Sequence, residues 1–201
     1  MKLKDIKKVG VVGSGIMGQG IGYAFALAGY PTVMSDLTDE ILEDAMKKIR
    51  LTSDIFAEEG LVSRQRADEA VDRITMTLDL EQVAADSDFV TESVVERLED
   101  KIELFRQLDE MCPPQTIIAS NTSSLVMSDI GSKVKRQDKI LLTHYYSPPA
   151  FVPGIEVAKG PGTSDETFEI TYDLMKKINH IPVKVLKEGP GYLLNRLQHT
   201  L

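Results

Sequence analysis

Residues 9–18 read VGVVGSGIMG, a short β-branched run that breaks off at a cluster of glycines. A run of this kind, bounded by glycine, is typical of a strand that is buried on both faces of a parallel sheet. Small and apolar residues continue from Ile16 to Ala28, and Gly29 marks the end of a helix. The stretch therefore predicts a strand, a tight glycine turn and a helix in direct succession.

The glycines follow the pattern G-x-G-x-x-G, with Gly13, Gly15 and Gly18 at the three fixed positions. The pattern alone is weak, since glycines are common at turns. Here it joins a predicted strand to a predicted helix, and Asp36 follows 23 residues after Gly13, at the end of the next predicted strand. This combination is the fingerprint of a dinucleotide-binding loop. Gly13 permits the turn, Gly15 lets the backbone approach a pyrophosphate, and Gly18 lets the helix pack closely on the sheet.

The residues around the loop indicate which dinucleotide is bound. The first N–H groups of the helix and the partial positive charge at its N-terminus favour phosphate binding. Ile16 and Met17, which begin the helix, are therefore predicted cofactor contacts. Asp36 would accept hydrogen bonds from the adenosine ribose and repel a 2′-phosphate, and no Arg stands beside it. The sequence therefore predicts NAD rather than NADP. The alternative is a structural strand–turn–helix unit with an Asp on its surface.

Strands and helices alternate along the whole chain. Predicted strands cover residues 9–12, 32–35, 74–76, 88–91, 116–119, 139–143, 155–157 and 183–185. Predicted helices cover residues 16–28, 39–59, 63–71, 98–111 and 167–178. This alternation indicates an α/β protein with a Rossmann-type, doubly wound and mostly parallel sheet. The chain stops within a predicted helical run, which suggests the start of a further domain.

Composition narrows the classes of function. The 201 residues carry a net charge of -8, which argues against binding the phosphate backbone of a nucleic acid. No apolar run is long enough to cross a membrane, and the start lacks the pattern of a signal peptide. The single cysteine, Cys112, cannot form an internal disulfide and is expected to be a small apolar residue at a helix end. We expect a cytosolic protein with no membrane partner, no nucleic-acid partner and no metal site.

Histidine is the usual proton acceptor near neutral pH, and the chain has three, His144, His180 and His199. His144 follows a predicted strand directly, at the edge where open α/β sheets bind ligands. His180 is expected in a loop, and His199 lies in the terminal run. Position therefore favours His144 as a catalytic base, and the alternative is a structural histidine with satisfied hydrogen bonds.

Two further features lie at or near this edge of the sheet. Glu156 interrupts an otherwise apolar strand 12 residues after His144. It is either a buried partner that orients the imidazole or a solvent-facing residue of an edge strand. Residues 120–125 offer hydroxyls directly after the fifth strand. They either serve a site there or cap a helix.

Taken together, these residues resemble the 3-hydroxyacyl-CoA dehydrogenase family over essentially the whole chain. The matching segments are residues 13–21, 120–125 and 136–138, His144 with its proline turn, Glu156, and residues 190–197. Their order and spacing argue against a chance match.

The resemblance implies roles for particular residues and a second domain. It makes His144 the general base and Glu156 its orienting partner. Ser123 and Asn195 would hold the substrate oxygens. The resemblance also implies cofactor contacts from Glu96, Lys101, Ser123 and Ser147. The NAD-binding domain would span residues 1–188, and residues 189–201 would begin an all-helical domain through which the family forms homodimers.

Two departures from the family bear on the substrate. The family pattern His-Phe-Phe-Asn-Pro reads His-Tyr-Tyr-Ser-Pro at residues 144–148, so Ser147 replaces an Asn near the nicotinamide. Thr52 and Glu59 stand where enzymes that act on CoA thioesters carry Ser and Lys, and an acid there would repel a CoA phosphate. Residues 147–153 and 185–188 resemble instead the gulonate dehydrogenase (lambda-crystallin) branch.

Three functions follow from these observations. The first is NAD-dependent oxidation of an L-3-hydroxyacyl-CoA to the 3-ketoacyl-CoA, as in fatty acid metabolism. The second is oxidation of a free 3-hydroxy acid of the gulonate or carnitine kind. The third is a structural protein that keeps the NAD fold without turnover, against which the presence of all four implied site residues argues.

Overall fold

A computed structural model describes residues 1–198 of the chain, and eight strands in this part form a single sheet. The strands are β1 (Val9–Val12), β2 (Thr32–Ser35), β3 (Ile74–Thr77), β4 (Phe89–Glu92), β5 (Ile117–Ser120), β6 (Ile140–Tyr145), β7 (Gly154–Lys159) and β8 (Ile181–Val185). Their order across the sheet is β3-β2-β1-β4-β5-β6-β7-β8. The first six strands follow the Rossmann order, which confirms the predicted fold class.

All neighbouring strands run parallel except β6 and β7. Residues 146–153, which join these two strands, contain no helix and are too few for the crossover that a parallel pair needs. β7 therefore runs back along β6, and β8 then pairs parallel to β7. As a result β7 is an interior strand with a neighbour on each side.

Helices cover both faces of the sheet. They are α1 (Ile16–Leu27), α2 (Asp39–Glu58), α3 (Arg64–Asp72), α4 (Leu80–Ala85), α5 (Leu98–Met111), α6 (Met127–Ile130), α7 (Asp165–Lys177) and α8 (Leu194–Gln198). One apolar core lies under α1, α2, α3 and α7, and a second lies under α4, α5 and α6. Val11 belongs to the first core and Val12 to the second, so β1 is buried on both faces as predicted.

The sequence patterns missed short elements and misplaced some boundaries. Helices α4 and α6 were not predicted, because six and four residues are too few to show a helical period. β6 continues to Tyr145, so His144 lies inside this strand rather than after it. β8 begins at Ile181 and includes Pro182, which the edge of a sheet tolerates.

The loops after β1, β4, β5 and β6 meet at the carboxyl edge of the sheet. The strand order reverses at β1, which lies between β2 and β4. The backbone N–H of Ser93 donates to the carbonyl oxygen of Val12 at 2.7 Å, which ties the β4 loop to β1. The Asn121 side chain accepts the backbone N–H of Tyr145 at 3.0 Å, which ties the β5 loop to β6. An edge of this kind, at the point where strand order reverses, is where open α/β sheets bind ligands.

Within residues 1–198, no helix is both long enough and apolar enough to cross a membrane.

Candidate active site

The glycine loop joins β1 to α1 and is shaped by its lack of side chains. Gly13 has a φ of +94°, and a Cβ at this position would lie 2.5 Å from the carbonyl oxygen of Ser93. A Cβ on Gly18 would overlap the carbonyl oxygen of Gly13. A Cβ on Gly15 would meet no atom of the described residues within 4 Å, so at this position the backbone faces empty space. The loop thus exposes backbone at the N-terminus of α1, as phosphate binding requires.

A cavity of about 600 Å³ opens beside this loop. Gly13, Gly15 and Asp36 are the predicted cofactor residues in its lining. Leu37, Leu78, Leu80 and Leu104 supply apolar surface, which suits the flat face of an adenine ring. The described lining contains no Lys or Arg. Its size and chemistry fit the adenosine half of NAD, with a phosphate at Gly15.

Asp36 is fixed at the end of this cavity by short hydrogen bonds. Its Oδ2 accepts the backbone N–H of Ser14 at 2.6 Å and the Ser14 hydroxyl at 3.0 Å. Its Oδ1 accepts the backbone N–H of Leu37 at 2.8 Å. A carboxylate oxygen has two lone pairs, so Oδ1 can accept one more hydrogen bond, for example from a ribose hydroxyl.

Lys101 lies under the site rather than on its surface. Its side chain is 1% exposed, and its Nζ lies 2.5 Å from the carboxylate of Glu92 and 3.3 Å from that of Glu96. Glu92 is fully buried at the end of β4 and also accepts the Ser120 hydroxyl at 2.6 Å. Neither Lys101 nor Glu96 lines the cavity described above. Sequence reasoning missed Glu92, although a glutamate ending an apolar strand was a usable signal.

Glu96 lies just before α5, whose N-terminal capping residue is Arg97. Its Oε1 accepts the hydroxyl of Thr122, the backbone N–H of Ser123 at 3.0 Å and the hydroxyl of Ser124 at 2.9 Å. Burial raises the pKa of Glu96, but the hydrogen bond from Thr122 and the charge of Lys101 outweigh it, so the net pKa is lowered. The ionised carboxylate therefore holds the turn at residues 122–124.

This turn does not cap a helix, so helix capping is excluded as one of the two alternatives left open by the sequence. The next helix, α6, has Val126 as its N-terminal capping residue, without a side-chain cap. Ser123 is exposed, and its carbonyl oxygen accepts the Asn195 side-chain amide at 3.1 Å. The structure thus brings Ser123 and Asn195 together, although 72 residues separate them in the chain.

His144 and Glu156 face each other across β6 and β7. They are register partners, and Nδ1 of His144 lies 2.9 Å from Oε2 of Glu156. Glu156 is 0% exposed and lies on the interior strand β7, so the solvent-facing alternative is excluded. Because the carboxylate can only accept, Nδ1 carries a proton, and in the neutral form of the imidazole the lone pair is therefore on Nε2. Nε2 makes no hydrogen bond to the described residues.

Glu156 accepts three hydrogen bonds besides the one from His144. The Tyr146 hydroxyl donates to Oε2 at 2.7 Å, and the backbone N–H groups of Leu193 and Leu194 donate to Oε1 at 2.8 and 3.0 Å. Burial raises the pKa of Glu156, but these four donors outweigh it, so the net pKa is lowered. Sequence reasoning missed Tyr146, although the i, i+2 spacing from His144 places both side chains on one face of an extended chain.

The remaining candidates from the sequence are spread around the site. Ser147 is exposed just after β6, and Ile16 and Met17 form the first turn of α1. His180 is buried, and its two ring nitrogens lie 3.2 Å from the carbonyl oxygens of Ile178 and Pro149. Burial lowers the pKa of His180, which fits a structural role.

Three further predictions from the sequence concern Cys112, His199 and a metal site. Cys112 is the buried residue that ends α5, as expected, and burial raises the pKa of its thiol to about 12, so it is unreactive at neutral pH. His199 lies outside the described residues. Among residues 1–198, no group of three or more His, Cys, Asp or Glu side chains is arranged to hold a metal ion.

The strand order, the glycine loop and the carboxylate at the end of β2 define a dinucleotide-binding Rossmann domain. Residues 8–189 match the family model described as 3-hydroxyacyl-CoA dehydrogenase, NAD binding domain. The chain therefore belongs to the 3-hydroxyacyl-CoA dehydrogenase family, which confirms the predicted family and NAD as its cofactor.

Known relatives agree with this assignment. The chain is 36% identical over 197 residues to the mitochondrial hydroxyacyl-coenzyme A dehydrogenase of Rattus norvegicus, covering 96% of this chain and 62% of that protein. It is 33% identical over 190 residues to the 3-hydroxybutyryl-CoA dehydrogenase of Clostridioides difficile, covering 94% and 67%. The crystal structure of 3-hydroxybutyryl-CoA dehydrogenase from Escherichia coli superposes with a TM-score of 0.92 at 31% identity, covering 96% and 40%. The chain thus spans about three fifths of the length of the first of these relatives.

Proposed function

We propose that this chain is the NAD-binding and catalytic part of a dehydrogenase that oxidises the 3-hydroxyl of an L-3-hydroxyacyl-CoA to the 3-ketoacyl-CoA, with His144 as general base. The observation that carries the proposal is the buried His144–Glu156 pair at the carboxyl edge of the sheet, 2.9 Å apart, with Nε2 of the imidazole left for a substrate proton. A dehydrogenase needs this combination of a positioned base and an adjoining dinucleotide site.

The proposed chemistry uses the pair as follows. Nε2 of His144 takes the proton of the substrate hydroxyl, and the ionised Glu156 stabilises the imidazolium that forms. Bound NAD supplies the acceptor for the hydride that leaves C3 of the substrate. In the reverse direction the imidazolium returns its proton to the keto oxygen, so the pair serves as base and as acid.

Ser123 and Asn195 are proposed to hold the oxygens of the substrate. The Ser123 hydroxyl is exposed at the carboxyl edge, and the Asn195 amide keeps one N–H beyond the one it donates to Ser123. Glu96 supports this role indirectly, because it fixes the backbone on which Ser123 sits. We therefore assign Glu96 and, beneath it, Lys101 to positioning the Ser123 turn. The cofactor contacts that the resemblance implies for these two residues stay predictions.

Asp36→Asn is expected to reduce the preference for NADH over NADPH by about tenfold, which corresponds to roughly 1.4 kcal/mol. The amide can still accept the Ser14 hydrogen bonds, but the charge that repels a 2′-phosphate is gone. Because no Lys or Arg lines the described cavity, NADPH should not become the better ligand. Dissociation constants for both cofactors, measured by nucleotide fluorescence, test this expectation.

Asp39→Asn, an exposed carboxylate at the start of α2 outside the cavity lining, is the matched control for this comparison. An unchanged NADH/NADPH ratio in Asp36→Asn would contradict the proposed role of Asp36.

The substrate class is tested with the full-length protein. We expect turnover with acetoacetyl-CoA, because the relatives named above act on CoA thioesters according to their names. The alternative substrate class is a free 3-hydroxy acid, and one observation favours this alternative. Glu59 is exposed at the end of α2, where a CoA enzyme of this family would carry a base. NADH absorbance with acetoacetyl-CoA and with free 3-hydroxy acids separates the two, and absence of turnover with the thioester refutes the CoA proposal.

Other expectations from the sequence stay predictions. These are the domain boundary near residue 188, the homodimer formed through a helical domain, and the cytosolic location. Participation in fatty acid metabolism has support from a relative in Arabidopsis thaliana that is named as a peroxisomal fatty acid beta-oxidation multifunctional protein and is 31% identical over 194 residues.

A further inference from the structure

Tyr146 contacts the base and its partner at the same time. Its hydroxyl donates to Oε2 of Glu156 at 2.7 Å, and this oxygen is the one that also accepts Nδ1 of His144. The rings of His144 and Tyr146 lie with their centroids 4.7 Å apart at a tilt of 51°. The phenol, the carboxylate and the imidazole therefore form one unit.

The shared oxygen makes the two donors competitors. A carboxylate oxygen binds each donor through its negative charge, and a second strong donor on the same oxygen reduces the charge available to the first. Burial and the neighbouring Glu156 raise the pKa of Tyr146, so the phenol remains a hydrogen-bond donor throughout the neutral range. Tyr146 thus weakens the attraction between Glu156 and a protonated His144.

We propose that Tyr146 is a positioning residue of the His144–Glu156 pair. By donating to the shared carboxylate oxygen, Tyr146 lets His144 act as a base at a lower pH than it would if Glu156 had no bond from Tyr146. The inference rests on the proposed role of His144. In the oxidation direction the imidazole must be neutral before it can take the substrate proton. Weaker stabilisation of the imidazolium therefore favours oxidation at a given pH.

The other titratable groups around the imidazole do not duplicate this effect. Among the described residues, Glu156 faces His144 from β7, and the ring of Tyr192 lies 6.1 Å away on the segment before α8. Burial, together with Glu188, Glu96 and Glu156, raises the pKa of Tyr192, so that ring is neutral near pH 7. Besides His144, Tyr146 is the one side chain among the described residues that donates to this carboxylate.

Tyr146→Phe in the full-length protein tests the inference, since it removes one hydroxyl and keeps the ring. We expect the midpoint of the pH profile of kcat/KM to move upward by about 0.5 to 1 pH unit, less than one whole hydrogen bond to a charged group would give, because only the competition between the two donors is removed. The profiles for oxidation and for reduction should move in the same direction, because both follow protonation of His144. At high pH the oxidation rate should stay within about threefold of the wild type, where His144 is neutral in both proteins.

Tyr145→Phe is the matched control. Tyr145 precedes Tyr146 in the chain, but its hydroxyl contacts the sulfur of Met175 in the core on the other face of the sheet. We expect no movement of the pH profile in this variant. A Tyr146→Phe profile that does not move overturns the inference, and so does a loss of activity that is equal at every pH.

A second measurement keeps the inference separate from the proposed function. Imidazole NMR of the wild type and of Tyr146→Phe, without substrate, reports the titration midpoint of His144 directly. A higher midpoint in the variant supports the role of Tyr146 even if the wild type turns over no 3-hydroxyacyl substrate. Equal midpoints overturn it even if turnover is normal.

Discussion

His144→Gln is expected to lower kcat by roughly 10²- to 10⁴-fold, the usual contribution of a general base, in the full-length protein. A glutamine side chain can still donate to Glu156, so the buried carboxylate keeps a partner and the fold is preserved. What the variant lacks is the basic nitrogen that faces the substrate. NADH affinity should stay within a few-fold, because His144 does not line the cofactor cavity beside the glycine loop.

Steady-state kinetics and NADH titration on the same preparation measure both parts of this expectation. His180→Gln is the matched control, since His180 bonds two backbone carbonyls and serves no proposed catalytic step. Melting temperatures of both variants check the fold. Unchanged activity in His144→Gln would rule out His144 as the base.

Gly15→Ala is expected to weaken NADH binding by about ten- to a hundredfold, or roughly 1.4 to 2.8 kcal/mol, while leaving the melting temperature unchanged. The added methyl group meets no atom of the described protein within 4 Å, and the backbone of Gly15 has an ordinary negative φ. The fold should therefore accept it. The methyl group would instead occupy the space next to the first turn of α1, where the cofactor pyrophosphate is expected.

Fluorescence titration with NADH and a thermal melt test this pair of expectations. Gly154→Ala is the matched control, because its methyl group also meets nothing within 4 Å but lies at the start of β7. Normal NADH affinity in Gly15→Ala would mean that the phosphates do not approach the backbone at this position. Gly18→Ala would be a poorer probe, since its Cβ would overlap the carbonyl oxygen of Gly13 and disturb the loop itself.

The fold was largely predictable because its signals are local. The order of strand, glycine turn and helix at residues 9–28, and the acidic residue at the end of the second strand, are both written in short windows of sequence. The eight strands were all found, since each is an apolar run bounded by polar or turn residues. Helices α4 and α6 escaped because elements of this length owe their form to packing on the sheet rather than to a period.

The site was predictable only in part, because its contacts join distant segments. Whether β7 is an edge strand depends on β8, whose Val183 pairs with Glu156 from 27 residues further along the chain. The ion pair of Lys101 with Glu92 connects a helix to a strand end, and no spacing rule links two such positions. Ser123 and Asn195 were named from resemblance alone, and their hydrogen bond appears only in three dimensions.

The hydrogen bonds from Leu193 and Leu194 to Glu156 couple two parts of the molecule thermodynamically. If this segment moved away, a buried carboxylate would lose half of its four donors, so the position of the segment and the charge of the pair must influence each other reciprocally. The sign follows from the lowered pKa of Glu156. The hydrogen bonds from Leu193 and Leu194 stabilise the fold fully above the ordinary pKa of a glutamate. This stabilisation is lost only as the pH falls through the lower pKa that Glu156 has in the folded protein. Any force that displaces residues 193–194 is thus transmitted to Glu156, the carboxylate that pairs with His144, without contact with the substrate.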